Sequence, residues 1–152
     1  MGNAVVQVRI KNKKAWHEYL LQEEFTAGMV LLGTEIKSIR EGKVNLTDSY
    51  CTFSNDELFV LNMHIAEYKY GNQFNHDPKR PRKLLLKRRE LRKIQGKVKD
   101  KGVTVVPVEL FVNEVGLAKL TIYIARGKKT FDKRESLKNK DQKREMERRQ
   151  ED

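Results

Sequence analysis

The chain has 152 residues, 38% hydrophobic and 35% charged, with a net charge of +11 at pH 7. That length allows one domain of about 125 residues and a tail, enough for one core and not two. No apolar run approaches the ~20 residues that cross a bilayer, the N-terminus lacks the charged-then-apolar pattern of a signal peptide, and the single cysteine, Cys51, has no partner within the chain, so a reducing, cytoplasmic setting is expected.

In chain order, Val5 to Ile10 is a short strand candidate. Trp16 to Phe25 is a second, with His17, Tyr19 and Leu21 on one face, and Ala27-Gly28 breaks it before Met29-Val30-Leu31-Leu32. Gly33 to Arg40 changes period: a Thr34 N-cap candidate, Ile36 and Ile39 three apart and a stop at Gly42 predict a short helix. Tyr50-Cys51-Thr52-Phe53 and Leu58-Phe59-Val60-Leu61 flank a polar loop, Ser54 to Glu57, of hairpin type, in which Cys51 reads as a small buried hydrophobe. Residues 69–81 form a long loop holding Pro78 and Pro81, a length that points to function or disorder.

The basic segment follows. Leu84, Leu91, Ile94 and Val98 share one helical face, while Lys87, Arg88, Arg92 and Lys93 fall on the others and Gly96 interrupts, so residues 82–98 are predicted as a helix docked by its apolar side. Leu85 and Leu86 either broaden that stripe or precede the helix. Val103 to Val112 and Leu117 to Ala125 flank a turn at residues 113–116, and Pro107, having no N–H for a ladder, belongs at an edge or a bulge. Seven short strands in hairpins favour a barrel over a sandwich. From Lys128 onward only Phe131, Leu137 and Met146 are large and apolar, so this stretch is expected to be disordered alone, with helix propensity available on a surface. The division is therefore a domain over 1–126 and a tail over 127–152.

The positive charge is concentrated. Between Lys79 and Lys101, twelve Lys or Arg face only Glu90 and Asp100, a net +10; residues 126–152 carry +4 and the remainder −3. Such a concentration suits a polyanion, because each cation that meets a phosphate releases condensed counterions. A membrane-surface helix needs bulky aromatics on a free apolar face, and this segment has none. RNA is favoured over membrane. Tyr68, Tyr70 and Phe74 lie near basic groups and either stack on unpaired bases or pack the loop. No catalytic residue is assigned. His17, His64 and His76 show no metal-binding spacing, there is no GxSxG, phosphate loop or dinucleotide motif, and neither metal nor cofactor is expected. His76-Asp77 is read as loop support and turn former, not as an acid–base pair.

Several strings stand in a recognisable order: Asn12-Lys13-Lys14-Ala15, Gly33-Thr34-Glu35-Ile36-Lys37-Ser38-Ile39-Arg40, Gly42-Lys43-Val44-Asn45-Leu46, Asp48-Ser49-Tyr50, Asn62-Met63-His64-Ile65, Asn75-His76-Asp77-Pro78, Arg82-Lys83-Leu84-Leu85-Leu86, Gly96-Lys97-Val98, and Gly127-Lys128-Lys129 with Asp132-Lys133-Arg134. From about residue 8 to residue 135 the chain resembles the bacterial SsrA-binding protein (small protein B, SmpB) family, partner of transfer-messenger RNA. The resemblance implies a mainly β fold with some α: a closed antiparallel barrel of the oligonucleotide-binding (OB) type flanked by short helices. It implies an adaptor in ribosome rescue that binds the tRNA-like part of transfer-messenger RNA and replaces its missing anticodon arm, while the tail enters the empty mRNA channel and becomes helical. The implied partners are transfer-messenger RNA, the small ribosomal subunit with its 16S rRNA, and elongation factor Tu on the aminoacylated complex.

Carried over by position, the implied RNA face holds Asn12, Lys13, Lys14, Glu35, Lys37, Asn75, His76, Arg82, Lys83, Leu84 and Leu85, to which the basic helix adds Lys87, Arg88 and Arg92. Gly127, Lys128, Lys129, Phe131, Asp132, Lys133 and Arg134 would face the ribosomal decoding centre, with Phe131 suited to stacking. Glu35 has two readings: it accepts from a base donor or holds a basic side chain in place, or it is a helix N-terminal acid favoured by the dipole. The runner-up function is a general ribosome-associated or ribosome-assembly RNA-binding barrel. An RNA-processing enzyme stands third.

Overall fold

The computed structural model describes residues 8–71 and 74–128. In chain order the elements are β1 (Val8–Lys11), α1 (Lys13–Glu18), β2 (Tyr19–Met29), α2 (Gly33–Arg40), β3 (Val44–Asn45), β4 (Tyr50–Ser54), β5 (Glu57–Leu61), β6 (His64–Ile65), β7 (Arg82–Leu85), α3 (Arg88–Lys97), β8 (Val103–Val112) and β9 (Ala118–Gly127). Among the described residues the fold is mainly β with three helices. Seven strands form one antiparallel sheet ordered β1-β8-β4-β5-β7-β2-β9, and β9 also pairs with β8. Hydrogen bonding therefore runs from β8 through β4, β5, β7, β2 and β9 and returns to β8. The two-residue strands β3 and β6 pair separately.

Period-two patterning decides which side chains enter the core. Phe25 and Ala27 of β2, Leu58 and Val60 of β5, Leu84 of β7, Leu110 and Val112 of β8, and Leu120, Ile122 and Ile124 of β9 all point inward. Ile39 from α2 and Ile94 from α3, both fully buried, plug the same core. A smaller outer cluster seats α1: Ala15 packs on Val106, Val108 and Ala125, with Tyr19, Leu21 and Tyr123 around it. Burial pushes the Cys51 thiol far above its ordinary value, as suits an inert core residue.

Four expectations change. The strand expected over Trp16 to Phe25 gives its first residues to α1, because Asn12 Oδ1 accepts from the Ala15 N–H at 3.3 Å and starts a helix. Ala27-Gly28 does not break β2. Gly28 pairs with both Leu85 and Lys119, and the strand ends at Met29, so Met29 to Leu32 forms no strand of its own. The loop at Ser54 to Glu57 closes as a tight turn in which Asn55 and Asp56 adopt φ of 52° and 65°, the left-handed pair of a two-residue hairpin. Finally, residues 82–85 are strand β7 and not helix, because tertiary pairing with β2 and β5 overrides the helical pattern. Leu84 still enters the core, but from a strand.

Other expectations hold. Gly33–Arg40 is helical, Leu86 precedes α3, and Pro107 sits where the β8–β9 register shifts by a bulge. The first strand is Val8–Lys11; Val5 to Gln7 lie outside the described residues.

Candidate nucleic-acid interface

The centre of the candidate site is a carboxylate that does not face solvent. Glu35 occupies the third position of α2, where its Oε1 accepts from the Leu32 N–H at 2.8 Å and caps the helix start. Leu32, not Thr34, is therefore the N-cap residue. The same carboxylate takes the Arg80 guanidinium in a fork, from Nη2 to Oε1 at 2.6 Å and from Nε to Oε2 at 3.1 Å. Arg82 Nε donates to Oε2 at 2.7 Å. Both Glu35 and Arg82 are 0% exposed. Arg82 completes its set with the carbonyls of Met63 at 2.6 Å and Pro78 at 3.1 Å. Burial alone would raise the Glu35 carboxyl, but hydrogen bonds from Arg80, Leu32 and Arg82 hold it below its ordinary value. Glu35 thus holds basic side chains in place and is also the acid in the first turn of α2.

This lock fastens three segments. Next to it, the loop after β6 is pinned by Asn75 and His76. Asn75 Nδ2 donates to the Tyr68 carbonyl at 2.7 Å while its Oδ1 accepts from the Tyr68 N–H at 2.9 Å. His76 Nε2 lies 2.9 Å from the Ile65 carbonyl, which can only accept, so Nε2 carries the proton; Nδ1 is then free to accept from the Thr34 hydroxyl at 2.8 Å. Asn12 plays a similar part, donating through Nδ2 to the carbonyls of Pro107 at 2.9 Å and Leu46 at 3.2 Å.

The residues proposed for RNA contact thus divide into builders and presenters. Asn12, Glu35, His76, Arg82 and Leu84 are buried, so a phosphate or base cannot reach these groups, and half-buried Asn75 is engaged within its own loop. They shape the backbone that carries the others. Lys13, Lys14, Lys37, Leu85, Lys87, Arg88 and Arg92 are exposed. Lys14 is engaged with Asp48 at 2.8 Å and half-buried Lys83 with Glu57 at 2.7 Å. Lys87, Arg88 and Arg92 have no ion pair among the described residues, whereas their neighbour Lys93 meets Glu23 at 2.7 Å.

Two of these cations, Arg88 and Arg92, edge an open groove of about 640 Å³ between the β4–β5 turn and the start of α3, lined also by Asp56, Lys83, Leu85 and Leu91 among others. Ile94 turns inward, and Leu91 and Val98 pack partly against the core, so α3 is held by one side and offers the other. Gly127 ends β9, and Lys128 Nζ donates to the Trp16 carbonyl at 3.4 Å. Lys129, Phe131, Asp132, Lys133 and Arg134 lie outside the described residues. Sequence reasoning overlooked Arg80, whose fork on Glu35, 45 positions away, carries no linear signal. It also gave Thr34 to the cap and not to His76.

The model of one family, described as "SmpB protein", matches residues 9–152. The chain belongs to the SmpB protein family. A relative from Flavobacterium psychrophilum named "SsrA-binding protein" is 56% identical, covering 93% of this chain and 94% of its own. One of the same name from Bacteroides thetaiotaomicron is 59% identical, over 91% and 93% of the two chains. A third, from Halalkalibacterium halodurans, is 50% identical over 97% and 96%. A solved structure described as "tmRNA-SmpB: a journey to the center of the bacterial ribosome" superposes with a TM-score of 0.68 at 47% identity, covering 79% of this chain and 84% of that one. Glu35 and Arg82 stand in two of the strings quoted for the SmpB family, Gly33–Arg40 and Arg82–Leu86, and Arg80 lies just before the second.

Proposed function

We propose that this chain is an RNA-binding adaptor of trans-translation. It binds the tRNA-like domain of transfer-messenger RNA, brings it to stalled ribosomes, and stands in for the missing anticodon arm. The observation that carries this reading is a cationic face on α3, where Lys87, Arg88 and Arg92 are exposed with no ion pair among the described residues, in a chain 50 to 59% identical over nearly its whole length to proteins named for SsrA binding. The description of the structural neighbour, which joins tmRNA, SmpB and the ribosome, supports the same partners. We read the returning circuit of strands as a closed OB-type barrel over residues 1–126, flanked by helices. Residues 127–152 act as a basic tail that probes the empty mRNA channel. The small subunit and its 16S rRNA receive the tail, elongation factor Tu accompanies the aminoacylated complex, and the setting is cytoplasmic.

The mode of action is binding, not catalysis. His76, the histidine beside Asp77, has both ring nitrogens occupied in packing, which supports a structural role. Phosphate contacts from Lys13, Lys37, Lys87, Arg88 and Arg92 supply affinity and register, while the shape of the folded RNA supplies choice. Gly127, Lys128, Lys129, Phe131, Asp132, Lys133 and Arg134 remain assigned to the decoding centre.

The test is a competition titration at physiological salt between the tRNA-like domain of transfer-messenger RNA and bulk tRNA. Strong preference for the former is expected. Equal binding would overturn the adaptor reading in favour of a general ribosome-associated barrel. Charge reversal of two α3 residues, Arg88→Glu with Arg92→Glu, is expected to weaken RNA binding about 30-fold near 0.15 M salt and to lower the salt slope by about 2, since each phosphate contact contributes ~0.9 to that slope. An unchanged slope would place the RNA on another face.

A further inference from the structure

Two of the most exposed large side chains sit on one loop. Tyr70 is 67% exposed and Phe74 is 81% exposed. Leaving such rings in water forgoes the burial that aromatic side chains normally contribute. Backbone hydrogen bonds flank them: the Gly71 N–H donates to the Tyr68 carbonyl at 2.9 Å and the Phe74 N–H to the Gly71 carbonyl at 3.3 Å.

The described residues on either side of these rings are tied down by hydrogen bonds. The two ends of the loop are tied by Asn75 to Tyr68, its base by His76 to Thr34 and Ile65, and its far side by Arg80 to Glu35. Gly71 is needed for this seating. A Cβ there would fall 2.5 Å from Asn75 Nδ2 and 3.1 Å from Thr34 Cγ2, and the Asn75 amide is already fixed by its bonds to Tyr68. The ring of Tyr68 meets that of Tyr70 edge-on, with centroids 5.6 Å apart and planes at 72°. Lys37 Nζ lies 5.4 Å from the Tyr68 centroid and Lys69 Nζ 5.6 Å from that of Tyr70. Aromatic rings interleaved with ammonium groups are what unpaired nucleotides require: a flat face for the base and a cation for the adjoining phosphate.

We propose that Tyr70 and Phe74, supported by Tyr68 and Lys37, form a stacking platform for unpaired bases of the bound RNA. This rests on the RNA-binding reading above and gives it a selective element. The cations of α3 attract any phosphate backbone, duplex or not. A duplex hides its base faces in its own stack, so only looped or single-stranded nucleotides can use the platform.

The experiment uses the full chain with Tyr70→Ala and Phe74→Ala combined. Its affinity is measured for the tRNA-like domain, whose loops hold unpaired bases, and for a blunt RNA duplex of equal length. The double variant is expected to lose about tenfold or more per ring on the first RNA, with duplex affinity, salt slope and melting temperature unchanged. Tyr70→Phe with Phe74→Tyr, which keeps both rings, is expected to bind the tRNA-like RNA like the parent. An alanine variant that binds that RNA as tightly as the parent, or that loses the duplex equally, overturns the platform and leaves the adaptor reading standing. A parent chain that binds neither RNA overturns both.

Discussion

Glu35→Ala is expected to lower the melting temperature by about 10 to 20 °C, corresponding to a loss of about 3 to 5 kcal/mol. The reason is not the missing carboxylate but the group it leaves behind. Arg82 is 0% exposed and cannot shed its proton, so without Glu35 its charge remains in the core, compensated only by backbone carbonyls. Arg80 is released at the same time, and the start of α2 loses the acceptor on the Leu32 N–H. Replacing Arg82 as well, by Met, should recover part of the loss, since a buried pair exchanged for apolar groups often costs little. Thermal denaturation of the two variants checks the account; equal losses in both would show that the pair is not the source.

The same geometry fixes a pH dependence. The Glu35 carboxyl lies below its ordinary value of 4.5 in the folded chain. A depressed acid contributes stability that is present above the unfolded-state value and is lost as pH falls through the folded-state value. Stability of the parent should therefore decline below about pH 4.5 more steeply than that of Glu35→Gln, measured by denaturant titration across that window.

Truncation after Arg126 is expected to abolish rescue while leaving affinity for the tRNA-like domain within about twofold. Residues 127–152 carry ten basic and seven acidic side chains, a net +3, against the net +10 of residues 79–101. The tail thus adds little to the long-range attraction for RNA. Its mixed, helix-prone composition instead suits ordering inside a channel lined with phosphate, where the entropy of folding is offset by contacts available only when no message fills the space. The measurement is addition of the transfer-messenger-encoded tag on ribosomes holding a message without a stop codon, beside a binding titration. Residual tagging near the parent level would remove the tail from the mechanism. Collapse of binding would place it in the primary site.

Some of this molecule was legible because the signal was local. The short helix at Gly33–Arg40 followed from two isoleucines and a glycine stop, the hairpins from alternation about a polar turn, and the bulge at Pro107 from a missing N–H. Local signals failed where two periods coincide. Arg82 to Leu85 fits a helix with Leu91 and Ile94 as well as it fits a strand, and only pairing with β2 and β5 selects the strand. Asn12 has one local role, as a cap, and one remote role, on the Pro107 and Leu46 carbonyls; the strand-like run from Trp16 to Phe25 masks the first in the sequence, and the second leaves no local signal there.

The sequence by itself determined where the positive charge lies, that a single domain with one core would form around alternating strands, and which family the strings belong to. These are properties of composition and spacing, which exist before folding. The tertiary structure decided which members of the basic and polar set can touch a partner. Arg82 and Arg88 are chemically alike, but one is sealed against Glu35 and the other is in water. The difference arises because burying a charge is tolerated only beside an opposite charge with its remaining donors satisfied, and that environment is assembled from residues 45 and 47 positions apart on Glu35, Arg80 and Arg82.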